Sequence, residues 1–282
     1  MRSIVHRMIP LAVVLGGLFA LILLLAWRMQ ERMVFQPPAG AWPAPPGVER
    51  LELEAADGTP LFAYLVRGDT AGGNPVVIHF HGNAEVASLA IPWGQELAGR
   101  TGASVVLAEY RGYAGIPGSP TYAASRDDAL ALWSALQQAL GATPDRTVIH
   151  GFSLGSAVAA ELASQVAPRA LVLEAPFTSA RAMAVRMGPM LRGPVWRLIA
   201  RVHYDTRARV ASLDVPVWVA HGAEDGIIPV RMGREVYAAA RRKGDLLIVA
   251  GAGHNDLPSV GAQAYERWID AALGDASRGS GP

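Results

Sequence analysis

Short apolar runs that alternate with helical stretches are the feature that most limits how this 282-residue chain can fold. The later runs are almost continuously apolar, which is typical of strands buried on both faces of a parallel sheet. The two earliest runs flank Asp57-Gly58 and predict a hairpin. The predicted strands are Leu51–Ala55, Leu61–Val66, Val76–Phe80, Ser104–Tyr110, Thr147–Phe152, Ala170–Glu174, Pro216–His221 and Leu246–Ala250. We therefore predict an α/β fold with an eight-stranded, mostly parallel sheet.

The stretches between the strands have the length and pattern of helices that cover both faces of such a sheet. They are Glu85–Arg100, Thr121–Leu140, Leu154–Val166, Val230–Lys243 and Val260–Leu273. In an open sheet of this kind, ligands bind at the carboxyl ends of the strands. Residues that directly follow a strand are therefore the first candidates for a functional site.

An uncharged apolar run, Met8–Trp27, is long enough to cross a bilayer, because a helix of this length spans roughly 30 Å. Two arginines precede the run and two follow it, which disfavours a buried core helix. A cleaved signal peptide is the other alternative, but its apolar core is usually about 7–15 residues long and ends at a small-residue cleavage site. We predict one uncleaved transmembrane helix, with a cytoplasmic N-terminus and the remaining chain outside the cytoplasm.

The sequence divides into an N-terminal flank, the membrane helix, a proline-rich spacer, one globular domain and a disordered tail. The predicted bounds are 1–7, 8–27, 28–47, 48–274 and 275–282. Five prolines within 36–47 make the spacer stiff and extended. A short lid is predicted over 175–215, between the sixth and seventh strands.

Charge and cysteine content exclude several classes of function. Twenty-five basic and 24 acidic residues give a formal charge of +1, so we predict no nucleic-acid partner. The absence of cysteine excludes disulfides, thiolate metal sites and a cysteine nucleophile. His79 and His81 lie two apart on one strand and could form a metal pair, but no third ligand is evident. We predict no metal and no cofactor, and we interpret His150, His203 and His221 as structural.

The segment Gly151-Phe152-Ser153-Leu154-Gly155 follows the fifth predicted strand and precedes a predicted helix. In a G-x-S-x-G turn of this kind the serine occupies a strained strand-to-helix corner that exposes its hydroxyl. Side chains at the flanking glycines would collide with neighbouring backbone. The pattern alone also occurs in turns without function, so the strand-turn-helix context carries the prediction that Ser153 is a nucleophile.

A serine hydroxyl needs a base, and His254 follows the last predicted strand in a glycine-rich loop. Asp225 follows the seventh strand and is the expected partner that orients this histidine. The order Ser, Asp, His is the order found on α/β-hydrolase sheets. Glu174 at the end of the sixth strand is an alternative acid. Glu224 is adjacent to Asp225 and less favoured, and Asp256 is expected to structure the histidine loop.

The oxyanion of a tetrahedral intermediate needs hydrogen-bond donors. One is expected to be the backbone N–H of Leu154, directly after the nucleophile. The other is expected in the loop His81-Gly82-Asn83-Ala84 that follows the third strand. We favour the N–H of Asn83, with that of Ala84 as the alternative.

These residues together resemble the α/β-hydrolase superfamily over about Phe35–Leu273. Within it, the chain is similar to membrane-anchored serine hydrolases that include lysophosphatidylserine lipases and protein depalmitoylases. The similarity is carried by FQPP, HGNA, EYRGYAGIPGSPT, GFSLGSA, HGAEDGIIP and GAGHND. The resemblance implies an oxyanion loop, a structural loop beside the site, a nucleophile, an acid and a base at Asn83, Tyr110–Thr121, Ser153, Asp225 and His254.

Two positions depart from that family's usual pattern. Tyr113-Ala114-Gly115-Ile116 stands where the family usually has Tyr-Gly-x-Ser, and Gly155-Ser156 stands where it usually has Gly-Gly. Neither departure removes a catalytic group.

The predicted lid is rich in flexible and aromatic apolar residues that could form a pocket for an acyl chain. The pocket candidates are Met183, Met187 and Trp196; plain packing of the lid on the domain is the alternative. Arginines lie among them and could face solvent or anionic lipid headgroups. These are Arg181, Arg186, Arg192, Arg197 and Arg201.

We therefore predict a membrane-tethered serine hydrolase that cleaves an ester or thioester of a lipid-like acyl substrate through an acyl-enzyme. A peptidase of the prolyl-oligopeptidase type has the same fold and triad and is the nearest alternative. A haloalkane dehalogenase would need aspartate in place of Ser153. A membrane-tethered binding protein without catalysis is the alternative of another class. The sequence does not indicate an oligomeric state.

Overall fold

An eight-stranded sheet organises the computed structural model, which describes residues 2–40, 42, 45–46, 48–69, 74–188, 196 and 199–274. The strand order is β1-β2-β4-β3-β5-β6-β7-β8. The strands are β1 Glu49–Glu54, β2 Pro60–Val66, β3 Val76–Phe80, β4 Ser104–Ala108, β5 Thr147–Phe152, β6 Ala170–Glu174, β7 Pro216–Gly222 and β8 Arg242–Val249. Strand β2 is antiparallel to β1 and β4, and the remaining pairs are parallel. The predicted α/β sheet is confirmed.

Helices cover both faces of the sheet, as predicted. The helices of the described residues are α1 Arg2–Val34, which lies outside the sheet layers, and α2 Ile91–Thr101, α3 Tyr122–Leu140, α4 Leu154–Val166, α5 Ala180–Met187, α6 Thr206–Ser212, α7 Val230–Ala239 and α8 Leu257–Gly274. One buried apolar cluster includes residues of α3, α4 and α7, and a second includes residues of α2 and α8. The helix predicted over 230–243 ends earlier than expected, because the polar segment from Arg242 opens the edge strand β8.

The sheet topology brings the candidate residues to one edge. Strand β5 lies between β3 and β6, and β7 and β8 follow in parallel. The carboxyl ends of these parallel strands therefore point to the same edge of the sheet. Asn83, Ser153, Asp225 and His254 each follow one of them in the chain.

The predicted lid over 175–215 is too long at its C-terminal end. Helix α6 packs on α4 as part of the β6-to-β7 crossover, with Val210 fully buried and Arg209 3.1 Å from the Glu161 carboxylate. Asp205 caps α6 through a 2.9 Å hydrogen bond from the N–H of Ala208. The predicted lid is therefore limited to the part before α6. Residues 189–195 and 197–198, with Arg192 and Arg197, lie outside the described residues, as does the predicted tail 275–282.

Helix α1 extends beyond the predicted membrane segment and corrects the predicted spacer. It continues to Val34, because the segment RMQERMV after Trp27 contains no proline or glycine to interrupt it. Phe35, the next residue, is only 2% exposed. The first part of the 28–47 segment is thus a helix that docks on the domain. Among the described residues, Val13–Val34 is the one stretch of helix long and apolar enough to cross a membrane, properties that a signal sequence shares.

Candidate active site

Ser153 occupies a strained turn between β5 and α4. Its φ of 52° and ψ of −116° lie in a region that non-glycine residues rarely adopt. A Cβ at Gly155 would stand 2.0 Å from the carbonyl oxygen of Phe80 at the end of β3, so only glycine fits there. The N–H of Ser153 donates to the carbonyl of Glu174 across to β6 at 2.9 Å. The turn is therefore held by its neighbouring strands in the form that its sequence predicts.

Ser153, His254 and Asp225 form one hydrogen-bonded chain. The Nε2 atom of His254 lies 2.9 Å from the Oγ atom of Ser153. Its Nδ1 atom lies 2.7 Å from Oδ2 of Asp225. The structure thus brings together three residues that are far apart in the sequence, in the geometry that transfers a proton from a hydroxyl to an imidazole.

Asp225 is buried and surrounded by hydrogen-bond donors. Its Oδ1 atom accepts 2.8 Å hydrogen bonds from the N–H groups of Ile227 and Ile228. Its Oδ2 atom also lies 3.3 Å from Nε2 of His221. Burial alone would raise the pKa of this carboxyl, but the hydrogen bonds from His221, His254 and Ile228 outweigh burial and hold the pKa below its usual value. Asp225 is therefore ionised at neutral pH.

The loops that carry Asp225 and His254 lie against each other. A Cβ at Gly222 would stand 2.2 Å from the carbonyl oxygen of Gly253, so this contact requires glycine. The N–H of Glu224 donates to the carbonyl of Ala252 at 2.9 Å. The predicted structural role of Asp256 is confirmed, because its Oδ1 accepts from the N–H of Gly253 at 2.7 Å.

The alternative acids are engaged elsewhere or exposed. Buried Glu174 accepts hydrogen bonds from Nε2 of His150 at 2.8 Å and from the Tyr265 hydroxyl. The Nδ1 atom of His150 lies 2.7 Å from Nδ1 of His79, and burial followed by the neighbouring His150 lowers the pKa of His79. Glu224 is exposed. Among the described residues, neither Glu174 nor Glu224 hydrogen-bonds His254.

The loop after β3 is fixed by its side chains. The Asn83 amide donates to the carbonyl of Val34 at 2.7 Å. The Asn83 side-chain oxygen accepts from the N–H of Gln36 at 2.8 Å and from the hydroxyl of Tyr113 at 2.9 Å. Asn83 and Leu154 line the same cavity as Ser153. Oxyanion binding by their backbone N–H groups remains a prediction, as does the alternative at Ala84.

The segment Tyr110–Thr121 supports that loop from the side. Buried Glu109 lies 2.9 Å from Nε2 of His81, and the Tyr110 hydroxyl donates to the carbonyl of His81 at 2.9 Å. Arg111 binds the Asp57 and Asp128 carboxylates, each with its closest contact at 2.6 Å. The resemblance implies a structural loop at this position, and these contacts fit that role.

The two histidines considered as a metal pair contact different partners. His81 lies between Glu109 and the carbonyl of Gly82, whereas His79 contacts His150. Within the described ranges no group of three or more potential metal ligands occurs.

An apolar cavity of about 350 Å³ opens beside Ser153. Two of the three predicted pocket residues, Met183 and Trp196, line it. The side chain of the third, Met187, lies outside the described part of the structure. Sequence reasoning missed the contribution of α1, which supplies Ala26, Gln30, Met33 and Val34. The polar pair Gln30 and Glu31 near the end of an apolar helix was the available signal that this end contacts protein.

A second cavity, of about 320 Å³, lies beside His254 and Phe152. Its wall is less apolar than that of the first cavity, since polar residues lie beside apolar ones such as Leu89, Trp93 and Leu257. The polar residues are His79, His81, Glu85, His150, Glu174 and Asn255. His254 thus lies beside a cavity of mixed lining, whereas Ser153 faces the apolar cavity.

Relatives of known sequence resemble this chain over most of its length. An uncharacterized protein of Mycobacterium tuberculosis is 34% identical over 254 residues, which are 89% of each chain. The human alpha/beta hydrolase domain-containing protein 17B is 30% identical over 187 residues, 66% of this chain and 62% of the relative. No protein-family model matches the chain.

Solved structures have the same fold. A Pyrococcus furiosus esterase superposes with a TM-score of 0.63 at 17% identity, covering 85% of this chain and 99% of that one. An acylaminoacyl peptidase of Pyrococcus horikoshii has a TM-score of 0.61 at 13% identity, covering 80% and 41%. Such low identities establish the fold alone. The similar sequences and the shared fold together show that this chain belongs to the α/β-hydrolase superfamily, and they support a hydrolase.

Proposed function

We propose that the protein is a membrane-anchored serine hydrolase that cleaves an ester or thioester of a lipid-like acyl substrate. The observation that carries the proposal is the hydrogen-bonded chain Ser153–His254–Asp225, at 2.9 and 2.7 Å, in a strained strand-to-helix turn. A nucleophile, a base and an orienting carboxylate in contact are the components that acyl transfer requires. A binding protein without catalysis would not need this arrangement.

Acylation would begin at the Ser153 hydroxyl. As Oγ forms a bond to the carbonyl carbon, Nε2 of His254 takes its proton and the carbonyl electron pair moves to oxygen. The N–H groups of Leu154 and Asn83 would bind that oxyanion. Asp225 stays ionised, accepts the Nδ1–H hydrogen bond and stabilises the imidazolium that forms.

Collapse of the tetrahedral intermediate breaks the bond to the leaving alcohol or thiol, which takes its proton from Nε2 of His254. Water then attacks the acyl-enzyme, giving its proton to the same nitrogen, and Ser153 leaves with that proton as the carboxylic acid is released. The leaving group departs on the side of His254, where the second cavity, of mixed polar and apolar lining, lies. This side of the site therefore offers both polar and apolar contacts to the leaving group.

The apolar cavity beside Ser153 fits the acyl part of the substrate. Its volume of about 350 Å³ is within the usual range of small-molecule sites, roughly 300–1,000 Å³. Met183 and Trp196 on its wall offer flexible and aromatic surface to a hydrocarbon chain. Met187 stays a proposal from the sequence.

We further propose that α1 is retained as a single-pass anchor, with its N-terminus cytoplasmic and the domain outside the cytoplasm. Signal cleavage would remove part of the surface that docks on the domain through Gln30 and Glu31. Alkaline extraction should leave the full chain in the membrane fraction. Recovery of a shortened chain in the soluble fraction would contradict retention.

Fluorophosphonate labelling of the full chain tests the serine nucleophile. Wild type should be labelled and Ser153→Ala should not. Ser164→Ala is a matched control, because Ser164 lies on the same helix and donates only to the Glu161 carbonyl at 2.7 Å. Equal labelling of Ser153→Ala and wild type would overturn the proposal.

A substrate panel separates this function from a peptidase. Acyl esters, acyl thioesters and peptide anilides of matched size are compared by kcat/KM with the detergent-solubilised protein. We expect esters or thioesters to be cleaved fastest. Preferential cleavage of anilides would support the peptidase of the prolyl-oligopeptidase type instead.

A further inference from the structure

We propose that helix α1 forms one wall of the acyl site, so that the acyl chain of a bilayer-embedded ester enters the cavity directly from the membrane along α1. The inference rests on the proposed serine hydrolase and deepens it. It assigns a substrate class, a long-chain acyl ester or thioester resident in the bilayer, and it assigns α1 a role in substrate binding in addition to anchoring.

The burial of α1 divides the helix into two parts. Every residue of Val13–Ile22 is exposed. From Leu23 onward, half-buried positions recur at helical spacing, at Leu23, Ala26, Gln30 and Val34. Residues three and four apart lie on one face of a helix. We call these four residues the docked face; α1 is thus exposed over Val13–Ile22 and packed on the domain from Leu23 onward.

A set of polar contacts holds the docked part in place. The N–H of Arg201 donates to the Gln30 side-chain oxygen at 2.9 Å, and the Gln30 amide donates to the carbonyl of Ile199. The Arg201 guanidinium lies 3.0 Å from the Glu31 carboxylate and 4.7 Å from the centre of the Trp27 ring. Arg201 of the lid therefore contacts Trp27, Gln30 and Glu31, little more than one turn of α1, through an aromatic face, hydrogen bonding and charge.

The end of α1 is tied to the catalytic edge of the sheet. The Val34 carbonyl and the Gln36 N–H both bind the side chain of Asn83, at 2.7 and 2.8 Å. Asn83 in turn lines the cavity with Ser153. These hydrogen bonds therefore fix the position of α1 relative to the site and hold its docked face beside Ser153.

The cavity between α1 and the lid offers hydrocarbon surface. Ala26, Met33 and Val34 lie on one side, and Met183 and Trp196 belong to the lid. The polar side chains that line it are already bonded to protein: Gln30 to the lid, Asn83 to the end of α1 and Tyr204 to Ser125. The cavity thus offers the substrate apolar surface and the Ser153 hydroxyl. This combination favours an acyl chain whose carbonyl carbon lies at Ser153.

The position of the cavity along α1 matches the edge of a bilayer. The uncharged segment ends at Trp27, and Arg28 and Arg32 are exposed. Charged residues at this point place the boundary between hydrocarbon and headgroups near residue 28. Ala26 and Val34 are eight residues apart, or about 12 Å along a helix. The cavity wall therefore runs from the outer hydrocarbon layer into the headgroup layer, and an acyl chain could move along it without crossing water.

Two tryptophan substitutions on adjacent residues of α1 test the wall directly. Ala26 faces the cavity, whereas Leu25 is 49% exposed and faces away. Full-length protein in phosphatidylcholine vesicles is assayed with the palmitoyl and the butyryl esters of methylumbelliferone. Ala26→Trp should lower kcat/KM for the palmitoyl ester at least tenfold more than for the butyryl ester. Leu25→Trp should change neither.

Fluorophosphonate labelling reports whether each variant retains its active site. If Ala26→Trp is not labelled, the smaller Ala26→Leu substitution replaces it and should lower palmitoyl cleavage about threefold. Wild type that is neither labelled nor active on any ester would refute the proposed function itself. Active wild type with identical chain-length profiles for Ala26→Trp and Leu25→Trp would refute only the role of α1.

Cross-linking provides a second readout that needs no variant. A fluorophosphonate with a long alkyl chain ending in a diazirine is attached to wild type in vesicles and then irradiated. Because the chain should run along α1, peptides containing residues 26–34 should be cross-linked. Cross-links confined to the lid and the domain, with none to α1, would overturn the proposal.

Discussion

The floor and the roof of the apolar cavity are built in different ways. The floor consists of the turns after β3, β5, β7 and β8; a Cβ at Gly155 after β5 or at Gly222 at the end of β7 would stand 2.0 or 2.2 Å from a backbone oxygen, so no side chain fits there. The roof consists of α1 and the lid, which meet through side chains such as Arg201 and Gln30. We therefore expect the floor to set the chemistry through backbone geometry and the roof to set the choice of substrate through side chains. Substitutions should separate these two roles.

The largest effect is expected on the floor. Ser153→Ala removes the nucleophile and should lower kcat by at least about 10⁴-fold for esters of every chain length. Its thermal stability should stay close to that of wild type, because alanine retains the Cβ of serine. Activity within tenfold of wild type would mean that the chemistry does not depend on the floor.

The substitution Asp225→Asn should have the second-largest effect on kcat. An amide cannot hold the Nδ1–H tautomer of His254 as a carboxylate does, so kcat should fall on the order of 10³–10⁴-fold. The exposed neighbour provides the control, since Glu224→Gln should retain activity.

The same carboxyl should make stability depend on pH. The pKa of Asp225 is below its usual 3.8 in the folded protein, so its contribution is present above pH 3.8 and is lost as the pH falls through the lower folded value. Wild type should therefore exceed Asp225→Asn in free energy of unfolding at pH 7, and the difference should shrink below about pH 4. Urea unfolding of both proteins at pH 7 and pH 3.5 measures this. A difference that is constant or grows in acid would contradict the assignment.

Roof substitutions should have a smaller and selective effect. Met183→Ala and Trp196→Ala remove apolar surface from the cavity, so kcat/KM for long acyl esters should fall about tenfold, with short esters little changed. Met29 on α1 is 50% exposed and does not line the cavity, so Met29→Ala is the control. An equal fall in kcat/KM for short and long esters would mean that these residues affect the chemistry or the folding and not the choice of acyl chain.

The smallest effect concerns backbone strain in the floor. Ser153→Gly allows the φ of 52° at no steric cost, so it should exceed Ser153→Ala in stability by about 1 kcal/mol despite the added freedom of the unfolded chain. Differential scanning calorimetry of the two inactive variants provides the comparison. A less stable glycine variant would show that the turn stores no strain.

The floor could be predicted from the sequence because its determinants are local. Continuous apolar runs fix the strands, and each candidate residue follows a strand end, so topology brings Ser153, Asp225 and His254 together. The glycine pattern around Ser153 encodes a close approach that the structure contains. The edge strand β8 was less predictable, because its first half, Arg242–Asp245, is polar and exposed at its start.

The roof could not be predicted because its contacts join residues far apart in the sequence and because the apolar pattern of α1 does not reveal which face packs on the domain. The Gln30–Arg201 hydrogen bond joins residues 171 positions apart. On α1 the apolar residues before Trp27 occur all around the helix and do not mark a docked face; the polar pair Gln30 and Glu31 indicates that this end contacts protein but not which segment it contacts. The C-terminal part of the predicted lid was wrong for a similar reason. Val210 is buried where α6 packs on α4, and the local sequence does not indicate this contact.

The most direct test of the account is to trap the acyl-enzyme. Full-length protein is mixed with a para-nitrophenyl acyl ester, quenched in acid within the first turnover, and digested with trypsin for mass spectrometry. We predict a burst of nitrophenol equal to the enzyme concentration and one acyl group on Ser153 in the peptide 147–169. An acyl group on another residue while Ser153 stays unmodified would contradict the account.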